Sequence, residues 1–401
     1  MKRFLSIVLS SMLLLGCVGC AKEVKEVTLD ESAVIVSSQE TMQAALSLKV
    51  TLAQKCGLDL EIKEAAEGGT AIVVAVDESL ADGQYRTHLE ESRIYIEAKS
   101  VAVLNIAMRD IRSKWLVADP TPRLQASQCD ALSGTIDLKS APIFVLDQNI
   151  RYTDDEGGNL IVDRAPRFRQ LAEEYLPDII ALQEDSKIWA AILDKFFGEN
   201  YGMYGMFSAG PDTTKGHRQS IFYNKDRFEA VEEGAFLLSD TPDEYYTKFE
   251  DSKSIRHTTW VLLKDKYTGQ DLFICNVHLD NSTDEVRGKQ LGVLLERLKG
   301  YMEQYPTIFL GDFNARPETN TYATVTEFLS DPYITATTKL SDLEYTCDKY
   351  GAWAGTDEVR RIDYLFYSDE LVADTYCVMT DQYGGYISDH FGVTVQFSYA
   401  K

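Results

Sequence analysis

Six stretches of this chain place chemically useful side chains at or beside the ends of apolar runs. Thr307-Ile-Phe-Leu-Gly runs into Asp312-Phe-Asn314, and Asp271-Leu-Phe-Ile-Cys runs into Asn276-Val-His278-Leu-Asp280. Ala141-Pro-Ile-Phe-Val-Leu precedes Gln148-Asn149-Ile-Arg151, and Asp178-Ile-Ile-Ala-Leu precedes Gln183-Glu184. Arg361-Ile-Asp363-Tyr and Ser388-Asp389-His390 complete the set. Alternate side chains of a strand share a face, so functional groups at every other position point the same way. A rigid sheet whose strand ends collect carboxylates, carboxamides and imidazoles is a usual place for a site. Together these residue types fit metal-assisted cleavage of a phosphoester, which requires charge shielding, an in-line water and stabilisation of the departing oxygen.

Gly311-Asp312-Phe313-Asn314 and Ser388-Asp389-His390, in this order with Glu184 and His278, resemble the endonuclease/exonuclease/phosphatase superfamily. The resemblance spans residues 140 to 399. Phe236-Leu-Leu-Ser-Asp-Thr-Pro242 followed by Thr259-Trp260 is similar to a segment common among bacterial members. Asn149-Ile-Arg151 has the deoxyribonuclease-like form of the first motif. AP endonucleases usually carry an acidic residue where Arg151 stands, which argues against that subgroup.

The resemblance implies roles. Glu184 matches the family's first metal acid, with Asn149 beside it as a neutral oxygen ligand or water-orienting group. Asp363 and His390 match an acid–base dyad in which the carboxylate fixes the imidazole tautomer and raises its basicity. His390 then activates the attacking water or, protonated, stabilises the pentacovalent phosphate. Asp389 points the other way and reaches metal. His278 offers a proton or hydrogen bond to a phosphoryl oxygen, Asp312 orients the water or assists the leaving group, and Asn314 donates its amide to the phosphate. Arg256 has two readings, a contact to substrate phosphate or a surface salt bridge. Hard oxygen ligands without a Cys or His cluster favour Mg²⁺, with Mn²⁺ as the alternative, over zinc.

The elements that must position these groups follow from periodicity. From residue 138 to 401, long apolar strands alternate with helices, among them an amphipathic one over 286–301 and a short one over 167–175. That pattern suits an α/β domain, a four-layer α/β/α sandwich of two mixed β-sheets, which is also the fold the resemblance implies. Residues 21–137 read as a separate small α+β domain in the order strand, helix, strand, strand, strand, helix. Its element order weakly resembles the non-catalytic N-terminal domain of bacterial hexosaminidases and glucuronidases, implying a structural or docking role and a glycan association. Asp119-Pro-Thr-Pro-Arg and Asp130-Ala-Leu-Ser-Gly mark the connection between the two.

Residues 1–20 read as a targeting segment. Lys2-Arg3 is followed by an apolar stretch from Phe4 to Leu15, too short for a comfortable membrane span. Leu14-Leu15-Gly16-Cys17 resembles a bacterial lipobox, with Cys17 as the lipidated residue; Cys20 is the weaker acceptor, and an ordinary cleaved signal is the alternative. Lipidation would hold the chain on the outer face of a bacterial membrane through acyl chains alone. None of Cys56, Cys129, Cys275, Cys347 and Cys377 forms a zinc pattern.

Composition narrows the substrate. The formal net charge of −23 opposes a polyanion, because phosphate neutralisation by basic groups supplies most nucleic-acid affinity. A secreted nuclease of the same superfamily is therefore the alternative reading. A small phosphodiester, a sugar phosphate or a phosphorylated glycan fits the acidic surface more easily. A non-catalytic binding protein on the same scaffold would be expected to have lost a metal acid or the histidine dyad, and all of these residues are present.

Overall fold

The computed structural model describes residues 25–116, 119–210 and 213–401, so Cys17 and Cys20 lie outside the described residues. The apolar runs form the strands of two stacked sheets. Ile143–Asn149 is buried along its whole length and pairs in parallel with Ile179–Ser186; both of its faces are covered, which is why it reads as a continuous apolar run. These two strands are central in a seven-stranded sheet, flanked by Tyr201–Phe207 and His217–Asn224 on one side. Gly392–Tyr399, Leu371–Met379 and Thr338–Lys339 complete its other side. The second sheet orders Phe228–Leu237, His257–Asp265, Asp271–His278, Thr307–Asp312 and Asp363–Tyr367.

Inward-facing residues such as Val145, Ala181 and Ile221 meet Val261, Ile274 and Leu310 in one core between the sheets. The outer faces are covered by helices. Phe168, Leu171 and Trp189 pack on Leu146, Ile180 and Leu182, while Leu291, Leu294 and Leu298 pack on Phe273, Cys275 and Phe309. The result is the expected four-layer α/β/α arrangement of two mixed sheets.

Helix Ile161–Tyr175 begins before the expected Arg167 and runs through Pro166. Proline removes one backbone donor and strands the carbonyl of Val162. Val162 is 64 % exposed, so this turn of the helix lies open to solvent. The Asp154 carboxylate accepts from the Ile161 amide at 2.7 Å and fixes the start. The helix expected over 286–301 extends over Asp284–Gln304, capped by Thr283, whose hydroxyl accepts from Val286 N.

Ahead of this domain stands a six-stranded sheet in the order Glu61–Lys63, Val34–Ser37, Ala71–Val76, Arg93–Ala98, Gln84–Glu90 and Gly134–Thr135. Helices Met42–Thr51 and Val101–Trp115 share its core through Leu48, Leu104 and Met108. The strand Gln84–Glu90 is absent from the expected order. Its residues are mostly polar and half-buried, and it is held as a strand by antiparallel pairing with Arg93–Ala98. Among the described residues no helix is long and apolar enough to cross a membrane.

Candidate active site

The catalytic motifs converge because three strand positions share one row. His278, Asp312 and Asp363 are consecutive Cα partners across three neighbouring strands of the five-stranded sheet. Gly311 permits the approach. Its φ is +130°, and a Cβ there would lie 2.0 Å from the Val277 carbonyl oxygen, so no other residue fits before Asp312. From the facing sheet, Asn149 ends its strand opposite Gln183. A bulge between Leu182 and Asp185, with Glu184 at φ +62°, turns the Glu184 carboxylate away from the regular pleat. Arg151 and Asn314 also adopt left-handed conformations, φ +56° and +48°. Non-glycine residues held there cost about 1–3 kcal/mol each, a cost met by the surrounding structure and commonly found at functional sites.

Below the site, Gln183 Nε2 donates to Asp147 Oδ1 at 2.7 Å and to Asn276 Oδ1 at 2.8 Å, tying the two sheets together. Asp147 is fully buried, and burial, reinforced by the nearby Asp363 charge, drives its carboxyl well above the usual range. At the site, Asn149 Nδ2 stands between two carboxylates, 2.9 Å from Asp312 Oδ2 and 3.4 Å from Glu184 Oε1. The second Glu184 oxygen accepts from Tyr152 N at 2.9 Å. His278 Nε2 lies 3.3 Å from Asp312 Oδ2. His390 Nδ1 faces Asp363 at 2.9 Å from Oδ2 and 3.1 Å from Oδ1. Thr346 locks that carboxylate: its hydroxyl donates to Asp363 Oδ2 and accepts from the Ile362 and Asp363 amides.

The two imidazoles are driven in opposite directions. Burial, together with Arg256 and neighbouring imidazoles, holds His278 well below its ordinary value, so it is neutral. Burial also opposes charge on His390, but the Asp363 carboxylate outweighs it and holds this imidazole well above its ordinary value. Burial and then the Asp363 charge push Asp312 up to about 7. Ligand atoms of Asp312, Asp363 and His390 all lie within 4.8 Å of one another. The carboxylate oxygens of Glu184, Asp312 and Asp363 suit a hard divalent cation by charge and ligand type; Asn149 would serve it through Oδ1, because its Nδ2 is a donor that here bonds two of the acids.

A model of the Endonuclease/Exonuclease/phosphatase family matches residues 156–390. The chain belongs to this family. Among solved structures, a mannosyl-6-phosphatase from Bacteroides thetaiotaomicron VPI-5482 is 28% identical, with a TM-score of 0.58 over 64% of this chain and 100% of that one. An endonuclease/exonuclease/phosphatase family protein from the same species is 27% identical, with a TM-score of 0.60 over 65% of this chain and 99% of that one. The human Nocturnin catalytic domain shares the fold at 21% identity and a TM-score of 0.51, over 66% of this chain and 96% of that one. No curated protein matches the chain. The protein is thus a metal-dependent phosphoric ester hydrolase of the endonuclease/exonuclease/phosphatase family.

Not every motif residue sits where the family resemblance implied. Asp389 accepts from Lys349 Nζ at 2.7 Å and, like Glu184, lies outside the Asp312–Asp363–His390 cluster. Burial opposes its charge, but His390 and Lys349 outweigh it and keep the Asp389 carboxyl below its usual range. Asn314 Nδ2 donates to the Leu279 carbonyl at 3.0 Å, spending one amide proton on the neighbouring loop that follows Asp271–His278. Arg256 is buried, 4.0 Å from Asp280 through Nε, which excludes the surface salt bridge; its electrostatic partners include Asp312 and Glu184. Asp280 accepts from the Lys253, Ser254 and Ser282 amides and shapes the loop rather than the pocket floor.

Three site-edge residues carry no motif signal. Tyr152 and His217 stack with ring centroids 4.0 Å apart beside Glu184, and His217 is held below its ordinary value by burial. Lys349 reaches Asp389 from a loop where it and Tyr350 both have positive φ. A histidine at the start of a strand and a lysine in an irregular loop are common, and only the folded chain brings them here.

Proposed function

We propose that this protein is an extracytoplasmic, Mg²⁺-dependent phosphatase or phosphodiesterase acting on a small or glycan-linked phosphoester. The observation that carries the reading is the pairing of His390 with Asp363 beside the Asp312 carboxyl and neutral His278. Glu184 and Asn149 would hold the cation, which supplies charge neutralisation when bound. Asp312, with its carboxyl near 7, is poised to exchange a proton with the attacking water or the departing oxygen. His390, charged by its pairing with Asp363, stabilises the phosphoryl oxygens as negative charge accumulates. Neutral His278 is available as a hydrogen-bond donor to a phosphoryl oxygen. Arg256 supplies a buried positive charge on the same side as Asp312 and Glu184.

A sugar phosphate is favoured over a nucleic acid on two grounds. The chain carries a formal charge of −23, which repels a long polyanion, and one of its nearer structural relatives is described as a mannosyl-6-phosphatase. Lipidation at Cys17 would place the enzyme on a bacterial surface, where glycan phosphoesters are available. The test is turnover of p-nitrophenyl phosphate, bis-p-nitrophenyl phosphate, mannose 6-phosphate and plasmid DNA, with Mg²⁺, Mn²⁺ or chelator, in wild type and His390→Ala. Metal-dependent release of phosphate from the sugar, lost in the variant, is expected. Preferential cleavage of DNA would replace this reading with the nuclease one.

A further inference from the structure

A cleft of about 790 Å³ lies far from the catalytic residues, between the N-terminal domain and the outer face of the seven-stranded sheet. Phe144, on its wall, stands near the start of the strand that ends in Asn149. At about 3.3 Å per residue, the cleft and the catalytic site are roughly 17 Å apart along that strand.

The cleft is held open by rigid clamps. Ser47 Oγ donates to the Glu174 carbonyl at 2.7 Å, and Arg112 Nη1 reaches Thr51 Oγ1 at 2.7 Å and Glu174 Oε1 at 3.3 Å. Arg109 pairs with Asp178 at 3.2 Å, and Lys55 with Asp381 at 3.5 Å. These contacts fix both helices of the N-terminal domain to the catalytic domain on the flanks of the gap, so it does not close by settling.

Its lining is that of a binding site. Volumes of about 300–1,000 Å³ with apolar walls and a few convergent polar groups are typical of small-molecule sites. Ile106, Leu116, Pro142 and Leu340 supply apolar surface. Across from them, the sheet presents Thr375, Thr394 and Gln396, polar residues where a helix-covered face would carry Leu or Ile. The Gln396 side chain makes no hydrogen bond within the described residues and is only half-buried. Arg112 is 6 % exposed and its Nε has no partner; Arg109 Nε is likewise buried and unpartnered.

Charge matching selects the ligand. Arg112 faces Glu174, Arg109 faces Asp178, Lys55 faces Asp381, and Lys114 faces Asp110 at 2.6 Å. An added anion or cation would meet an already neutral set of pairs. A ligand rich in hydroxyls would instead use the Gln396 amide and the Thr375 hydroxyl, while its C–H faces lie on the apolar wall. We propose that this inter-domain cleft is a binding site for a neutral saccharide.

The test is titration of neutral mono- and disaccharides into residues 21–401, which keep both domains whole, followed by saturation-transfer NMR and calorimetry. Ser113→Trp and Thr375→Trp fill the cleft from opposite walls without touching the clamps. Phosphate and decanoate serve as anionic and apolar probes. Saccharide binding weakened about tenfold or more in both variants is the expected result. No saccharide signal, a signal that survives both substitutions, or binding of phosphate or decanoate alone would overturn the proposal. Turnover of p-nitrophenyl phosphate, expected unchanged in both variants, reports separately on the catalytic domain. Its absence from the wild type would count against the proposed phosphohydrolase function and leave the binding result intact.

Discussion

His390 Nδ1 lies 2.9 Å from Asp363 Oδ2, and both side chains are buried. Thr346 and the register with Asp312 fix the carboxylate, so the imidazole has one orientation, and the Cys347 thiol hydrogen-bonds it as well. Removing the negative charge while keeping the shape separates electrostatics from position. Asp363→Asn should lower the His390 pKa, since the carboxylate is what overcomes burial. Turnover should fall by about 10²–10⁴-fold, the usual worth of a positioned acid–base group. If His390 acts in its charged form, the alkaline limb of the pH–rate profile should also move to lower pH. A variant with wild-type turnover and an unmoved limb would remove the dyad from the chemistry.

Glu184 is presented by a bulge and a left-handed residue, and its oxygens meet only neutral donors, Asn149 Nδ2 and the Tyr152 amide. Among the described residues no cation forms a direct ion pair with it, and Arg256 and Arg151 act on it only at longer range. Glu184→Gln keeps the hydrogen bonds and deletes the charge. The concentration of Mg²⁺ giving half-maximal rate should rise by about 10–100-fold or more, since even outer-shell substitutions reach that range. An unchanged metal requirement would move the ligand role to Asp312 and Asp363.

The strands that carry the site were legible because apolar runs ending in functional residues have few other uses. Gly311-Asp312-Phe313-Asn314 was readable as a strand end, and the 2.0 Å approach to the Val277 carbonyl oxygen shows why its glycine is needed. What the sequence hid are contacts made by loops. The direction of Asp389 depends on Lys349, which reaches it from a positive-φ turn. The Tyr152–His217 stack joins residues distant in sequence with no shared pattern. Gln84–Glu90 was hidden for a different reason: its strand character comes from its neighbour, not from its own polar residues.

His257 gives a pH dependence of stability that is independent of catalysis. It is buried, with Nε2 at 2.7 Å from the Met206 carbonyl, and burial pushes its pKa down to about 3. Between about 3 and 6.5 the unfolded chain binds a proton at this position and the folded chain does not. Its contribution is therefore complete above 6.5 and is lost as pH falls through that window, amounting to roughly 3 kcal/mol by about pH 4.5. Urea midpoints at the two pH values should fall less in His257→Gln than in wild type. Equal losses would assign the acid sensitivity elsewhere.

The lipid anchor is testable by fractionation. If Cys17 is the acylated residue, Cys17→Ser should move the protein from the membrane to the soluble fraction, and Cys20→Ser should not. Release by Cys20→Ser instead would shift the acceptor by one motif.

Arg112 and Glu174 bridge the two domains as a buried pair, with side chains 7% and 4% exposed and an Nη1–Oε1 distance of 3.3 Å. Glu174 also accepts from Thr51 and from the Tyr383 hydroxyl at 2.8 Å, so its carboxylate collects three donors from three elements. Removing one member of such a pair strands the other charge, at a cost of about 3–5 kcal/mol. Replacing both with apolar residues of similar size avoids that cost. Glu174→Ala should therefore lower Tm markedly, whereas the double substitution Arg112→Met with Glu174→Leu should recover much of the loss. If the double variant is as unstable as the single one, the pair acts through its network of three donors rather than through charge compensation. The two domains would then be joined chiefly by hydrogen bonds that apolar packing cannot replace.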